Sequence, residues 1–277
     1  MVATDEVVIV QLGVDEAAAG LALSTEARWN QNEADWHFFL SRGIVYGVRD
    51  EAARLVASAA LLPYSFGNAW ISMVLVTESW RRKGIATKLV DACLEAAHRM
   101  KLTTWLDATP DGANVYGPLG FTPTLQLRRL RLENTGSSGA AGRPSLGTGE
   151  LAALIARDRH AIGFSRDQLL GAFAARPSSR IVASGDAMAL VRDGRTARHI
   201  GPLFANSSDQ ALALVGAIAA SENGPLLLDA VHTRGEFVEG LTRSGWTIER
   251  PFQRMRFGRP TAEPGDPPFA VAGPEFG

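Results

Sequence analysis

Only one of the 277 residues is cysteine, Cys93, so no internal disulfide can form, and the five histidines are scattered without a second thiol near them. A structural metal is therefore not expected. A basic excess is missing too: 28 Lys and Arg against 29 Asp and Glu leave a formal charge of −1. That balance cannot neutralise several phosphates of a nucleic acid or hold an anionic membrane. No apolar run approaches the roughly 18 residues of a membrane span, and Met1 to Glu6 carries acids but no Lys or Arg, unlike a secretory signal. The chain reads as cytoplasmic, with neither nucleic acid nor membrane as partner. What remains is an ordinary globular composition, 46% hydrophobic and 21% charged, long enough for one large domain or two smaller ones.

The clearest boundary is the stretch GSSGAAGRPSLGTG at 136–149, whose Gly, Ser and Pro leave nothing to pack. It reads as a linker between residues 1–135 and 150–277. Before it, Val7–Leu12 reads as a strand and Asp15–Arg28 as a helix, and Asn32 followed by Asp35 predicts a capped helix over about 33–42. Ile44–Arg49, Leu55–Leu62 and Ala69–Val76 then read as an antiparallel meander. From Gly84 the apolar period changes, and Ile85, Leu89, Ala92, Cys93, Ala96 and Met100 share one face of a long helix. Thr103–Thr109 is read as a strand, Ala113–Leu119 as a short helix and Thr124–Leu132 as a closing strand. The second part repeats this ending: Leu106-Asp107-Ala108 has its counterpart in Leu228-Asp229-Ala230, and FTPTLQLRRLRL from Phe121 lies over WTIERPFQRMRF from Trp246 with two Arg in register.

The stretch with chemical content is AWISMVLVTESWRRKGIATKLVDACLEAAH, residues 69–98. An apolar strand enters a turn with three cations, Arg81, Arg82 and Lys83, and a helix starts after Gly84. Unpaired N–H groups of a first helical turn, its dipole and the adjacent cations suit a pyrophosphate, and Gly84 and Ala86 let it approach the backbone. Arg81-x-x-Gly84-x-Ala86 after a strand, followed by Tyr116-Gly-Pro-Leu-Gly120-Phe121, resembles the signature of the GNAT superfamily of acetyl-CoA-dependent N-acetyltransferases. The match spans about residues 5–134. The second half is similar to the degenerate GNAT-like repeat of a bacterial tandem subfamily, as are Trp29-Asn30-Gln31 with Asp35-Trp36 and the segment Ala272–Gly277.

The resemblance implies an α+β fold of two tandem GNAT domains, each a mixed, mostly antiparallel sheet flanked by helices. It implies that backbone N–H groups from Arg82 through Gly84, Ile85 and Ala86 to Thr87 hold the acetyl-CoA pyrophosphate, with Arg81 to Lys83 adding charge. Leu75 and Val76 would pair with the pantetheine arm. Glu78 and Thr109 depart from the common family residues, Pro and Asn. Tyr116 is the natural acid for a departing thiolate, whereas no base stands out; Asp35 and Asp107 are candidates that also suit structural roles. Trp29, Asn30, Gln31, Asp35 and Trp36 lie where the family builds its acceptor wall, and aromatic walls with an acid and two amides suit a small amine. Cys93 and the five histidines read as structural. Near residues 201–220 no R-x-x-G-x-A recurs, so the second repeat is expected to bind no acetyl-CoA and to cover the acceptor cleft of the first. The expected activity is direct acetyl transfer to a primary amine of a small molecule or peptide, by a monomer or homodimer. The tandem layout is also similar to that of mycothiol synthase, implying an amino-sugar acceptor, and a non-catalytic acyl-CoA-sensing module is the alternative from another class.

Overall fold

The computed structural model describes residues 7–133, 147–259 and 265–277. In the first half the order is β1 (Ile9–Gln11), α1 (Ala17–Glu26), α2 (Glu33–Arg42), β2 (Ile44–Arg49), β3 (Leu55–Tyr64), β4 (Asn68–Val76), α3 (Ile85–Arg99), β5 (Thr103–Ala108), α4 (Pro110–Tyr116) and β6 (Thr122–Leu132). The cap expected before α2 is reciprocal: Asn32 Oδ1 accepts from the Asp35 N–H and Asp35 Oδ2 accepts from the Asn32 N–H, each at 3.0 Å. Helix α4 begins ahead of the expected Ala113. Thr109 caps it through Oγ1, and Pro110 sits in the first turn, where its missing N–H costs nothing.

The second half repeats the order as β7 (Gly147–Thr148), α5 (Leu151–Ile162), α6 (Asp167–Ala174), β8 (Arg180–Ser184), β9 (Ala187–Arg192), β10 (Arg198–Phe204), α7 (Ser208–Ser221), β11 (Leu226–Val231), α8 (Gly235–Arg243) and β12 (Thr247–Phe257). Residues 136–146 of the expected linker lie outside the described residues. Its last residues are not linker but an edge strand: Gly147 and Thr148 pair with Ala183 and Val182, and the Gly149 N–H donates to Ile181 O. Glycine serves here because a Cβ at 149 would come within 2.6 Å of the Ile181 side chain.

The expectation of a separate sheet in each half is modified by how the strands are ordered. All described strands form one sheet in the order β1-β2-β3-β4-β5-β12-β6-β11-β10-β9-β8-β7. The two closing strands are exchanged. Strand β12 pairs with β5, from Gln253 opposite Ala108 to Phe257 opposite Thr104, whereas β6 pairs with β11, from Leu132 opposite Leu226 to Leu127 opposite Val231. β6 and β12 also pair with each other, antiparallel, and Leu127 faces Phe252 at equivalent positions of the two repeats. Register shifts flank that pair symmetrically, at Thr124 and at Glu249. The repeat read from the sequence is thus a pseudo-twofold axis through the centre of the sheet.

Buried polar groups follow the same axis. Arg129 on β6 grips Asp229 on β11 with two bonds of 2.8 and 2.9 Å, and Arg254 on β12 grips Asp107 on β5 at 2.9 and 2.8 Å. Each Leu-Asp-Ala aspartate is therefore neutralised by the closing strand of the other half. Burial acts to raise Asp229, but Arg129 and the bond from His199 at 3.0 Å hold its carboxyl well below the usual carboxylate range.

Strand alternation sorts the core into layers. Ala57, Ala59, Leu61, Ala69 and Ile71 lie under α3 with Ile85, Leu89, Cys93 and Ala96, the helix face the periodicity predicts. Ala60, Leu62 and Trp70 face the other side, where α1 and α2 of the first half share one core with α5 and α6 of the second. Phe276 fills the centre of that shared core, stacked on Phe39 at 4.8 Å and edge-on to Phe173 at 4.9 Å.

Candidate active site

Strands β4 and β5 run parallel and pair only at Asn68, Ala69 and Trp70, opposite Thr103, Thr104 and Trp105. Beyond Trp70 they diverge. Against β3, Ser72 lies opposite Ala60 and Leu75 opposite Ser58, so Met73 and Val74 together face Ala59, a β-bulge. Met73 has φ of 51°, uncommon for a residue other than glycine, and its carbonyl accepts from Ser58 Oγ at 2.8 Å. The bulge turns the strand just where its neighbour departs. Leu75 and Val76 lie past it on the stretch that β5 does not reach.

At the end of β4 the chain makes one 3-10 turn, Glu78–Trp80, and enters α3 through Arg81, Arg82, Lys83 and Gly84, all exposed. Arg82 and Gly84 have φ of 62° and 73°. No side chain caps α3, no acid stands in its first turn, and a Cβ built on Gly84 meets nothing within 4 Å. The first-turn N–H groups of Ile85, Ala86 and Thr87 therefore belong to an uncapped helix start with open space and cations beside it, as an anion requires. Arg81 Nε donates to Val76 O at 3.1 Å, joining the turn to the strand end.

The second half closes the corresponding places. α7 carries a side-chain cap, Ser207 Oγ accepting from the Gln210 N–H at 3.3 Å, and has Asp209 in its first turn. β10 and β11 pair only at Arg198 and His199, opposite Leu226 and Leu227, and then diverge like β4 and β5. Here the chain itself fills the gap. The Leu203 N–H donates to Ala270 O at 2.9 Å and the Phe269 N–H to Leu203 O at 2.8 Å, while on the other side the Val231 N–H donates to Phe269 O and the Val271 N–H to Asp229 O, both at 3.0 Å. Gly201 permits this approach, since a Cβ there would lie 2.0 Å from Val271 O.

Between β4 and β5 in the first half lies a cavity of about 100 Å³ that opens to solvent. Ile71–Val74 of β4, Leu106–Ala108 of β5, and Thr109, Gly112 and Tyr116 form its walls, with Arg129, Arg250 and Phe252 from the exchanged strands. Tyr116 is half-buried, 6.0 Å from the Phe121 ring, and burial pushes its phenol up to about 12, so the hydroxyl keeps its proton at neutral pH. Cys93 is fully buried, and burial pushes its thiol up to about 12, as suits a core residue.

Of the residues read as an acceptor wall, Trp29 and Gln31 line this space, whereas Asn30, Asp35 and Trp36 do not. The latter are consumed by packing between the halves. Asn30 donates to Ala197 O and accepts from the Thr196 and Ala197 N–H groups, at 2.9–3.0 Å. Asp35, fully buried, pairs with Arg176 at 2.8 Å, and Trp36, also fully buried, donates to Ser24 Oγ at 2.8 Å. Asp107 lines the space but is held by both Arg254 bonds. Sequence reading missed Glu275, which lines the space with Pro274. The Trp70 indole N–H fixes that segment by donating to Pro274 O at 2.9 Å, and Arg166 holds it by donating to Phe276 O at 2.8 Å and also to Gly277 O. The resemblance of Ala272–Gly277 to the tandem subfamily was the one sequence signal near it.

Comparison with known proteins agrees with this geometry. Residues 8–121 match the acetyltransferase (GNAT) family, and residues 154–267 match an acetyltransferase (GNAT) domain. YitH of Bacillus subtilis, an uncharacterized N-acetyltransferase, is 22% identical over 248 residues, covering 86% of this chain and 87% of that protein. A putative acetyltransferase from Pyrococcus horikoshii shares the fold with a TM-score of 0.79 at 19% identity, over 99% of this chain and 96% of its own. A tandem GNAT protein from the clavulanic acid biosynthesis pathway does so at 0.62 and 13% identity, over 92% of this chain and all of its own, 100%. Among the described residues no helix is long and apolar enough to cross a membrane, and no cluster of His, Cys, Asp and Glu could hold a metal. The chain is an acyltransferase and belongs to the GNAT acetyltransferases, with one GNAT domain in each half.

Proposed function

We propose that the protein transfers an acetyl group from acetyl-CoA to a primary amine, in a ternary complex and in the first half only. The observation that carries this reading is the contrast between two equivalent gaps. The one between β10 and β11 is bridged by the chain's own Phe269–Val271, paired on both sides, while the one between β4 and β5 is open, with Tyr116 on its wall, and β4 leads on to an uncapped cationic helix start. An extended arm can pair along Leu75 and Val76 as Phe269–Val271 pairs in the other half.

Acetyl-CoA bound there supplies the thioester whose carbonyl carbon the amine attacks. The chain's residues do the rest. N–H groups from Arg82 to Thr87 hold the pyrophosphate with the charges of Arg81, Arg82 and Lys83. The β4 bulge presents backbone near the reacting carbonyl, and a donor aimed at the developing oxyanion is worth roughly 10²–10³ in rate. Tyr116, protonated in the resting protein, gives its proton to the departing thiolate. Trp29 and Gln31 form the acceptor wall.

Calorimetry with acetyl-CoA tests the cofactor assignment on the wild type, Gly84→Ala and Gly84→Glu. Alanine at a φ of 73° measures backbone strain alone, because its Cβ meets no atom. The added carboxylate should weaken binding at least tenfold beyond the alanine variant. Equal affinity in the two variants sinks the assignment.

A further inference from the structure

Two charges of opposite sign enter the open space from exchanged or distant segments: Arg250, with no close ion pair among the described residues, and Glu275, paired with Arg192 at 3.4 Å. Arg250 lies on β12 at the residue beside the Glu249 register shift, and its equivalent in the first repeat is Leu125. The strand therefore does not need a cation at this point. Among the described residues Arg250 has no ion pair within 4.0 Å, and its buried Nε has no hydrogen-bond partner. Its guanidinium lies over the Phe252 ring, 5.2 Å from the centroid. Burial and the neighbouring Arg129 charge lower its pKa, outweighing the opposite pull of Asp229, Glu249 and Glu275.

Glu275 brings the opposite charge. Its residue is 9% exposed, and its only ion pair among the described residues is with Arg192, whose Nη2 reaches Oε1 at 3.4 Å. The other carboxylate on the wall, Asp107, is fully bonded to Arg254. Two further buried acceptors on the same wall have no hydrogen-bond partner among the described residues: Gln31 Oε1, in a residue 3% exposed, and Ser72 Oγ, in a residue 8% exposed. Unsatisfied buried oxygens are costly, a cost a ligand with N–H groups relieves. The wall thus offers oxygens at Glu275, Gln31 and Ser72 for an ammonium and a forked donor at Arg250 for a planar anion.

From this we infer that the acceptor is a small amine that also carries a carboxylate, its ammonium held by Glu275 and its carboxylate by Arg250. This rests on the acetyl-transfer reading and narrows its acceptor. Glu275 also takes the proton that the amine must lose: the ammonium gives one proton to the Glu275 carboxylate, leaving a neutral amine with its lone pair free. The new C–N bond then forms as the thioester C–S bond breaks. The thiolate takes the Tyr116 proton, the amide nitrogen returns its surplus proton to Tyr116, and Glu275 releases its own to solvent.

The test uses matched probes: glycine, β-alanine and 4-aminobutanoate, their carboxamides, the alkylamines of equal length, and O-phosphoethanolamine. Each is measured by calorimetry on the full chain without acetyl-CoA, and by CoA release with it, for the wild type, Arg250→Gln, Arg250→Lys and Glu275→Gln. At least one carboxylate should bind and turn over tenfold or more better than its carboxamide. In Arg250→Gln that preference should fall to within about twofold, with partial return in Arg250→Lys, and Glu275→Gln should lower kcat more than it weakens carboxylate binding. Equal use of carboxylate and carboxamide, a preference that survives Arg250→Gln, a preference for the phosphate, or no binding of any carboxylate overturns the inference. Failure of acetyl-CoA to bind, with carboxylate binding still dependent on Arg250, would instead refute the acetyl-transfer reading alone.

Discussion

Removing the Asp229 carboxylate strands a guanidinium in the middle of the sheet. Arg129 is 4% exposed and Asp229 wholly buried, and the two share bonds of 2.8 and 2.9 Å. In Asp229→Ala the Arg129 charge, 4% exposed, is left without its carboxylate and His199 loses its 3.0 Å partner. Breaking such a pair costs about 3–5 kcal/mol, most of it the stranded charge rather than the lost attraction. For a chain of this size each kcal/mol moves the midpoint by about 2–4 °C, so the expected fall is roughly 6–20 °C. Arg129→Met with Asp229→Leu removes both charges and should recover much of that loss, giving a coupling of at least about 2 kcal/mol in a double-mutant cycle. Urea and thermal unfolding followed by circular dichroism supply the numbers. The pseudo-twofold axis requires Asp107 and Arg254 to behave alike. A cost below about 1 kcal/mol for Asp229→Ala, or additive single effects, would refute the view that these pairs lock the halves.

Two further outcomes follow from the titration and placement of wall and core residues. Tyr116→Phe should lower turnover at least tenfold, within the roughly 10²–10⁴ that a positioned acid supplies, while calorimetry finds acetyl-CoA affinity within about twofold of wild type; unchanged turnover removes Tyr116 from the mechanism. The pH dependence has a definite sign. Cys93 and Tyr116 are both raised, to about 12 from 9.0 and 10.0, so the fold favours their neutral forms. Their contribution is complete below pH 9 and is lost as pH rises from there toward 12. Urea midpoints measured from pH 7 to pH 11 should therefore fall above pH 9, with a later onset in Cys93→Ala; identical profiles for the two proteins would contradict the assignment to the thiol.

Local features were legible because local rules produce them. Asn32 and Asp35 bound α2 by a reciprocal cap, and the face from Ile85 to Ala96 lies on the sheet as its spacing requires. Gly84 is needed both for open space and for its positive φ, and only the first reason was visible beforehand. Partner choice was not legible. The two closing strands are similar enough that each could complete either half, and nothing in a strand's own pattern says which edge it meets. The same limit explains Asn30, Asp35 and Trp36. Amides and an acid suit an amine pocket, but Asn30 and Asp35 equally suit contacts with 196–197 and 176, which are remote in sequence, and Trp36 suits a core bond to Ser24. Glu275 and Arg250 escaped for the same reason, being brought to β4 by strand exchange and by the Trp70 bond to Pro274.

Strand exchange also orders the birth of the molecule. As the chain leaves the ribosome, β5 waits for its neighbour: Arg254 lies 147 residues beyond Asp107, the aspartate it neutralises. Through that interval the first half can form the turn that opens α3, but its sheet has an open edge and Asp107 lacks the Arg254 counter-charge. The sheet is therefore closed late in synthesis, when β12 arrives beside β5.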